Sequence, residues 1–400
     1  MPLYASVGVS FNKEYKSAIA EAASQAKTDL KQNNISLAIV LTSFDFAFPY
    51  VLKAIGSLIG ENVPLIGTTS NAILTKDGAH RHAVAIMLIS TEDAYCNTAA
   101  IKDILIDLYA GGDRLGKQLL FGMKEFQRRF CLFFSDGMIM DSLPLLKGLQ
   151  QRLGISFPII GATAASDDIQ AKKTHQYFNQ RVLNSSIAGL LWAGKINFGV
   201  GIKHGWKPLG KPRRVNLADK TVIKEIENRP AVSLYQDYFA KDTAELRKEL
   251  KRISCLYPVG INISGEEEYL LRNILSIEED GSLVCRGDVP VGSRVRLMIA
   301  TKESCLAATE EAAQDAKQAF AMRTFPKQEP INAILVFNSA SRLYLLGRQI
   351  TKELEIIKSH FPDTPIMGLC TFGEQAPLKA TDFAGKTYCH NQTIAIIAMG

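Results

Sequence analysis

Small hydroxyl side chains gather at three places where an apolar run of the sequence stops, and from such positions a protein can hold a polar ligand. Ser43, Thr68 and Thr69 form the first group, Ser135, Asp136, Gly137, Ala162 and Thr163 the second, and Ser339, Arg342, Cys370, Thr371 and Glu374 the third. Hydroxyl and backbone N–H groups can take a carboxylate, while Arg342 and Glu374 add one charge of each sign. The set therefore suits a small polar or zwitterionic molecule. Each residue taken singly also suits a turn or a helix N-cap. The threefold recurrence of the set is what points to a site.

Other residue types offer other chemistry. Cys370 or Cys389, with His390 as base and Glu374 as orienting carboxylate, would make a hydrolase or transferase. Spacing alone does not bring these groups together, and a buried cysteine more often fills a small apolar space, so binding without turnover is the expectation. GGDRLGK at 111–117 has the spacing of a phosphate-binding loop, but Gln118 stands where Ser or Thr would hold magnesium. Helical apolar spacing begins at Leu115, inside the motif, which makes Asp113 read as a helix N-cap. His80 and His82 could ligate a metal, yet no carboxylate lies at ligand spacing. No metal, nucleotide or other cofactor is expected.

These groups are carried by a repeat. Three segments read as apolar strand, polar loop, amphipathic helix, then proline, two aliphatics, glycine and a second polar loop. The first runs from LAIVLTS at Leu37 to VPLIGTTSNA, the second from FCLFFSD at Phe130 to FPIIGATAAS, the third from NAILVFNSAS at Asn332 to TPIMGLCTFGE. They align Ser43 with Gly67, Ser135 with Gly161 and Ser339 with Gly368. An alanine-rich helix precedes each, and one further apolar strand (AVAIMLIS, SIAGLLWAG, TIAIIAMG) closes each. Pro49 and Pro144 sit where a first helical turn needs no N–H, and Leu343, Leu346, Ile350, Leu354 and Ile357 form one stripe ending at His360. Continuous aliphatic strands alternating with helices predict an α/β fold: three strand-helix-strand units, largely parallel buried strands and helices on both faces. Residues 200–300 instead show β-like alternation and glycine turns, with a charged helix from Thr243 to Arg252, and read as a β-rich bridging region before the third unit. A boundary between 196 and 197 gives two domains, 1–196 and 197–400.

Composition bounds the rest. The 400 residues are 47% hydrophobic and 22% charged, ordinary for a globular protein, and the chain exceeds the size of one simple core. No apolar run reaches about eighteen residues, and the start lacks the charged and apolar regions of a signal peptide, so a cytoplasmic protein without membrane insertion is expected. Seven cysteines without a CxxC pair indicate neither disulfides nor a zinc ribbon. The densest basic run, Lys211-Pro212-Arg213-Arg214, is short and lacks stacking aromatics, which argues against nucleic acid as a partner.

VPLIGTTSNA in the first half, and RLYLLG, PIMGLCTFGE and CHNQTIAIIAMG in the second, resemble the FIST family (F-box and intracellular signal transduction proteins). YPVGINIS and GSLVCRGDVPVGSRVRLMIAT are similar to that family's entry into its C-terminal domain. The resemblance covers nearly the whole chain. It implies a sensory module that binds a small ligand, amino acids being the usual proposal, and that works with a signalling partner. The family's arginine falls on Arg342, its glycine-glutamate pair on Gly373 and Glu374, and its late asparagine on Asn391. Ser339 stands where the family often has cysteine, which weakens a catalytic role there.

Overall fold

Along each long strand, apolar side chains serve two different faces, and that double demand sets the architecture. In the computed structural model, which describes residues 3–166, 173–263, 268–378 and 386–400, the chain is built from three copies of one unit. The last residue of the YPVGINIS segment, Ser264, lies outside the described residues.

The first unit runs β1 (Tyr4–Ser10), α1 (Tyr15–Leu30), β2 (Leu37–Ser43), α2 (Pro49–Ile59), β3 (Leu65–Ser70), hairpin strands β4 (Ile73–Thr75) and β5 (Gly78–His80), and β6 (Val84–Ser90). The second repeats this order with β7 (Ala94–Ile101), α3 (Leu108–Leu119), β8 (Arg128–Ser135), α4 (Leu143–Leu153), β9 (Ile159–Thr163), β10 (Gln176–Phe178), β11 (Arg181–Leu183) and β12 (Ile187–Gly194). The third opens on β13 (Phe198–Lys203) and is then interrupted. The interruption comprises β14 (Lys207–Asp219), β15 (Val222–Ile226), β16 (Arg229–Pro230), α5 (Ser233–Phe239), α6 (Thr243–Leu256), β17 (Val259–Asn262), β18 (Tyr269–Arg272), β19 (Ile274–Ile277), β20 (Leu283–Cys285) and β21 (Arg294–Ile299). The unit resumes with α7 (Lys302–Thr324), β22 (Ala333–Ser339), α8 (Ala340–Leu346), α9 (Ile350–His360), β23 (Ile366–Thr371), β24 (Gly373–Pro377), β25 (Thr387–His390) and β26 (Ile394–Met399).

Each unit contributes four strands to its own six-stranded sheet and lends its hairpin to another. The orders are β1-β6-β2-β3-β10-β11, β7-β12-β8-β9-β24-β25 and β13-β26-β22-β23-β4-β5. The second unit thus completes the first sheet, the third completes the second and the first completes the third. Only β2–β3, β8–β9 and β22–β23 pair in parallel; the remaining neighbours are antiparallel, which corrects the largely parallel expectation. A fully buried strand shows the same aliphatic run in either direction, so composition could not reveal the closing strand inserted antiparallel between the first two.

Helices cover one face of each sheet, not both. Leu37, Ile39 and Leu41 of β2, Phe130, Leu132 and Phe134 of β8, and Ala333, Leu335 and Phe337 of β22 all enter one core shared by the three sheets. The intervening residues Val40, Phe133 and Val336 face three separate clusters under the helices. Period-two alternation therefore persists with both faces apolar.

The interruption folds as a nearly closed antiparallel barrel, β18-β17-β21-β14-β15-β20-β19, around its own core. Its two edge strands β18 and β19 are consecutive in the chain, separated by Asn273, which curls the sheet back on itself. The expected bridging region is β-rich as read, but it sits inside the third unit, between the first strand and the first helix. The expected single helix after Ser339 is also divided, α8 passing to α9 through a 3-10 turn at Gly347–Gln349.

Candidate functional site

The strand register fixes which loop residues correspond. Gly67 pairs with Val40, Gly161 with Phe133 and Gly368 with Val336. With the glycines aligned, Ser43 matches Asp136 and Ser339, whereas Ser135 matches Thr42 and Asn338. The expected equivalence of Ser43, Ser135 and Ser339 therefore fails by one residue in the second unit. Strand β8 reaches its glycine partner with one residue fewer before its serine, a difference invisible to a motif comparison.

Most of the hydroxyl groups are spent inside the fold. Ser43 Oγ accepts from the Ala83 N–H at 3.0 Å, and Asp136 accepts from the N–H groups of Met138 (2.8 Å) and Ser185 (2.7 Å). Thr68 Oγ1 donates to the His175 carbonyl at 3.0 Å, and Thr69 Oγ1 accepts from the His175 N–H at 3.0 Å. Ser339 caps α8. Ser135 Oγ is buried and has no hydrogen-bond partner among the described residues.

Arg342 was expected to share a pocket with Glu374. It is instead fully buried and ion-paired with Glu353 of α9, with further bonds from Nε to Asn338 Oδ1 (3.1 Å), from Nη1 to the His204 carbonyl (2.6 Å) and from Nη2 to Thr309 Oγ1 (2.9 Å). Such a saturated guanidinium ties α7, α8, α9 and the end of β13 together and has little left for a ligand. Glu374, also fully buried, is held by the Thr371 hydroxyl, by Thr393 Oγ1 at 2.6 Å and by the Thr393 N–H at 3.3 Å. Burial raises its carboxyl to about 7 against the opposing pull of these hydrogen bonds.

Of the residues in the catalytic alternative, Glu374 and His390 are partners across β24 and β25, but among the described residues each bonds elsewhere, Glu374 to Thr371 and Thr393 and His390 to the Ala376 carbonyl. Cys370 lies in the helix-side cluster of the third sheet with Leu354 and Ile357. His390 is buried on β25 with Nε2 at 3.0 Å from the Ala376 carbonyl, and burial lowers it to about 4, so the ring is neutral at physiological pH. Burial also pushes the Cys389 thiol up to about 12, away from thiolate. GGDRLGK lies within α3 rather than in a loop, and its N-cap is Asp107, not Asp113; Asp113 binds Arg152 of α4 at 2.6 and 2.9 Å. A Cβ on Gly112 would stand 2.1 Å from the Leu145 carbonyl oxygen, so these glycines serve the close approach of α3 to α4. His80 packs against Phe11 with the rings tilted by 33°, while His82 bonds Asp45 and the Asn12 carbonyl.

What the fold does bring together is Thr163, Gly373, Gln375, His390 and Asn391 at the strand ends of the second sheet, faced by two arginines from the barrel, Arg272 and Arg286. Thr163 and Gly373 pair across β9 and β24, a contact that exists only because the third unit lends its hairpin. Thr163 Oγ1 accepts from Gln375 Nε2 at 3.1 Å, and Gln375 Oε1 is buried without a partner among the described residues. Asn391 receives the Asn273 N–H at 3.2 Å and donates to the His390 carbonyl at 2.8 Å, pinning the barrel to the sheet.

Arg272 is 5% exposed; its Nε donates to the Asp288 carbonyl at 3.0 Å and its Nη1 to the carbonyls of Leu271 (2.8 Å) and Cys389 (3.2 Å). Arg286, partly exposed, donates through Nη1 to the carbonyls of Gly137 (3.3 Å) and Ile139 (2.9 Å) and lies 5.3 Å over the Phe372 ring. Every partner of the two guanidiniums among the described residues is a carbonyl or a ring. The carboxylates of Asp141 and Asp288 act on Arg272, and that of Glu374 on Arg286, without reaching ion-pair distance. Desolvation lowers Arg286 to about 10, the cost of a charge lacking a close counter-ion. Sequence reasoning missed both arginines because they end short strands in a region read as a bridge. The available signal was an arginine closing an apolar run, in YLLR and again in LVCR.

The FIST N domain matches residues 36–229 and the FIST C domain residues 231–377. The chain is 26% identical over 308 residues to the uncharacterised protein Rv0628c of Mycobacterium tuberculosis, covering 73% of this chain and 76% of that one. It is 28% identical over 176 residues to the uncharacterised protein MJ1623 of Methanocaldococcus jannaschii, covering 41% and 33%. Among solved structures it is similar to a chorismatase (8% identity, TM-score 0.37, covering 100% of this chain and 98% of that one). A cyanuric acid hydrolase from A. caulinodans gives 8% identity and a TM-score of 0.38, covering 99% of both chains. With its N and C domains together spanning most of the sequence, the chain belongs to the FIST family.

Proposed function

We propose that the protein is a sensory module in which a small anionic or zwitterionic molecule, an amino acid or related metabolite, binds between the barrel and the second sheet. The observation that carries this reading is the pair Arg272 and Arg286, aimed at one cleft with no carboxylate partner among the described residues. A ligand carboxylate would supply the missing charge, Gln375 Oε1 an acceptor for a ligand donor, and Thr163 and Asn391 the polar walls. Free volume between these groups is about 10 Å³, room for one water-sized group, so a larger ligand must part the barrel from the sheet. That displacement is what a sensor can hand to a separate signalling protein in the cytoplasm. Among the described residues no thiolate stands beside a base, which favours binding over turnover.

A thermal-shift screen across amino acids and related carboxylates identifies the ligand, since binding to the folded state alone raises the melting temperature. Calorimetry on Arg286→Gln and Arg272→Gln then tests the site. Losing one charged partner should cost about 2 to 5 kcal/mol, or roughly thirty-fold and upward in affinity. Wild-type affinity in both folded variants would move the site elsewhere.

A further inference from the structure

At the opposite end of the sheets, where β8 and β13 begin, Arg128, Arg129 and Arg323 line a cleft of about 670 Å³ with Phe157 and Phe198. We propose that this cleft is a second binding site, for a phosphate ester of a small molecule. Its volume falls within the range of small-molecule sites, about 300 to 1,000 Å³, and exceeds what a bare phosphate fills. Three guanidiniums line it and no carboxylate does. Arg129 is fixed by bonds from Nε to the Ile196 carbonyl (2.9 Å) and from Nη2 to Asn197 Oδ1 (2.6 Å). Arg128 lies 5.3 Å over the Phe157 ring, with Nη1 3.5 Å from the Leu153 carbonyl, and Arg323 lies 4.5 Å over Phe198. All partners of Arg128 and Arg129 among the described residues are neutral, so both charges stand without a counter-ion. The nearby carboxylate of Glu329 accepts from the Asn197 amide.

The chemistry distinguishes the ligand. Convergent cations repel one another, and burial together with the Arg129 charge lowers Arg323 to about 10. A phosphate ester carries about −1.5 to −2 at neutral pH and three strong acceptor oxygens, which answers several guanidiniums at once where a carboxylate answers one. The Phe157 ring and the exposed Ile155 at the rim offer apolar contact to the group that bears the phosphate. Because the side chains are already held in place, little ordering entropy is spent on binding.

Calorimetry of the full chain with phenyl phosphate, inorganic phosphate and benzoate tests the assignment. Phenyl phosphate should bind with a dissociation constant below about 1 mM and most tightly of the three. Arg129→Ala and the more exposed Arg128→Ala should each weaken it about ten-fold or more. Circular dichroism and melting temperature establish that the variants fold, and Arg128→Ala, which breaks one long carbonyl contact and one ring contact, keeps the test open should Arg129→Ala not fold. No heat from phenyl phosphate, equal affinity for benzoate, or wild-type affinity in Arg128→Ala would overturn the proposal. So would a loss caused by Arg286→Gln, since binding would then belong to the cleft at the other end.

Discussion

Glu374 keeps its proton in the folded protein far beyond the range of a free carboxyl, and this has a measurable sign. Its ordinary value of 4.5 rises to about 7 because the side chain is fully buried. Between those values the folded state holds a proton that the unfolded chain has released, so stability falls as pH climbs from 4.5 toward about 7, by roughly 3 kcal/mol at the limit. His204 and His390, held neutral and lowered to about 4, act in the opposite sense by losing stability in acid. Glu374→Gln keeps an acceptor for Thr393 and removes only the first effect, because the histidines are common to both proteins. Melting temperatures from about pH 5 to about pH 8 should therefore decline more steeply in the wild type than in Glu374→Gln. Parallel profiles would show that Glu374 ionises normally. The sequence offered Arg342 and Glu374 as ligand-binding charges facing one pocket, whereas both are fully buried and Arg342 is ion-paired with Glu353. A single glutamate on an amphipathic helix reads as solvent-facing, so Glu353 gave no sign that it neutralises Arg342 in the interior.

At the scale of elements, contact between the opening strand and the first helix depends on glycine in the first and third units. A Cβ at Gly8 in β1 would lie 1.9 Å from the Ala22 carbonyl oxygen of α1, and one at Gly201 in β13 would lie 1.9 Å from that of Ala312 in α7. Gly8→Ala should cost about 1 to 3 kcal/mol or more, since backbone cannot yield as a side-chain tip can. Gly56, inside α2, meets nothing nearer than Gln180 Nε2 at 3.6 Å, and Gly56→Ala should gain about 0.5 to 1 kcal/mol. Urea denaturation of both variants separates steric need from mere helix propensity. A Gly8→Ala protein within about 0.5 kcal/mol of wild type would refute the close-packing account. The central strands, their helices and the glycine anchors were legible because buried aliphatic runs and proline-flanked helix starts are local signals. β1, β7 and β13 were missed as members of the repeat, because half-polar alternation such as YASVGVS does not resemble the aliphatic strands beside it. The hairpins of the first two units were missed for a related reason, since strands of three residues carry no period.

For the molecule as a whole, the two clefts lie at opposite ends of the sheets, and the barrel reaches the first of them through Arg272, Asn273 and Arg286. Lending of hairpins has a further consequence. Residues 1–196 contain the helices and long strands of two units, yet β9 lacks β24 without the rest of the chain, and the hairpin of β4 and β5 lacks β23. Expressed alone, this segment should show no cooperative unfolding transition, and mixing it with residues 197–400 should restore one; a sharp transition in the isolated segment would disprove the dependence. During synthesis the first sheet has all its strands once residue 183 has emerged. The second waits for β25 and the third for β26, so these two sheets have all their strands only once His390 and Met399 have been made. Until β24 has been made, β9 presents an unpaired edge, the kind of strand that other strands can pair with.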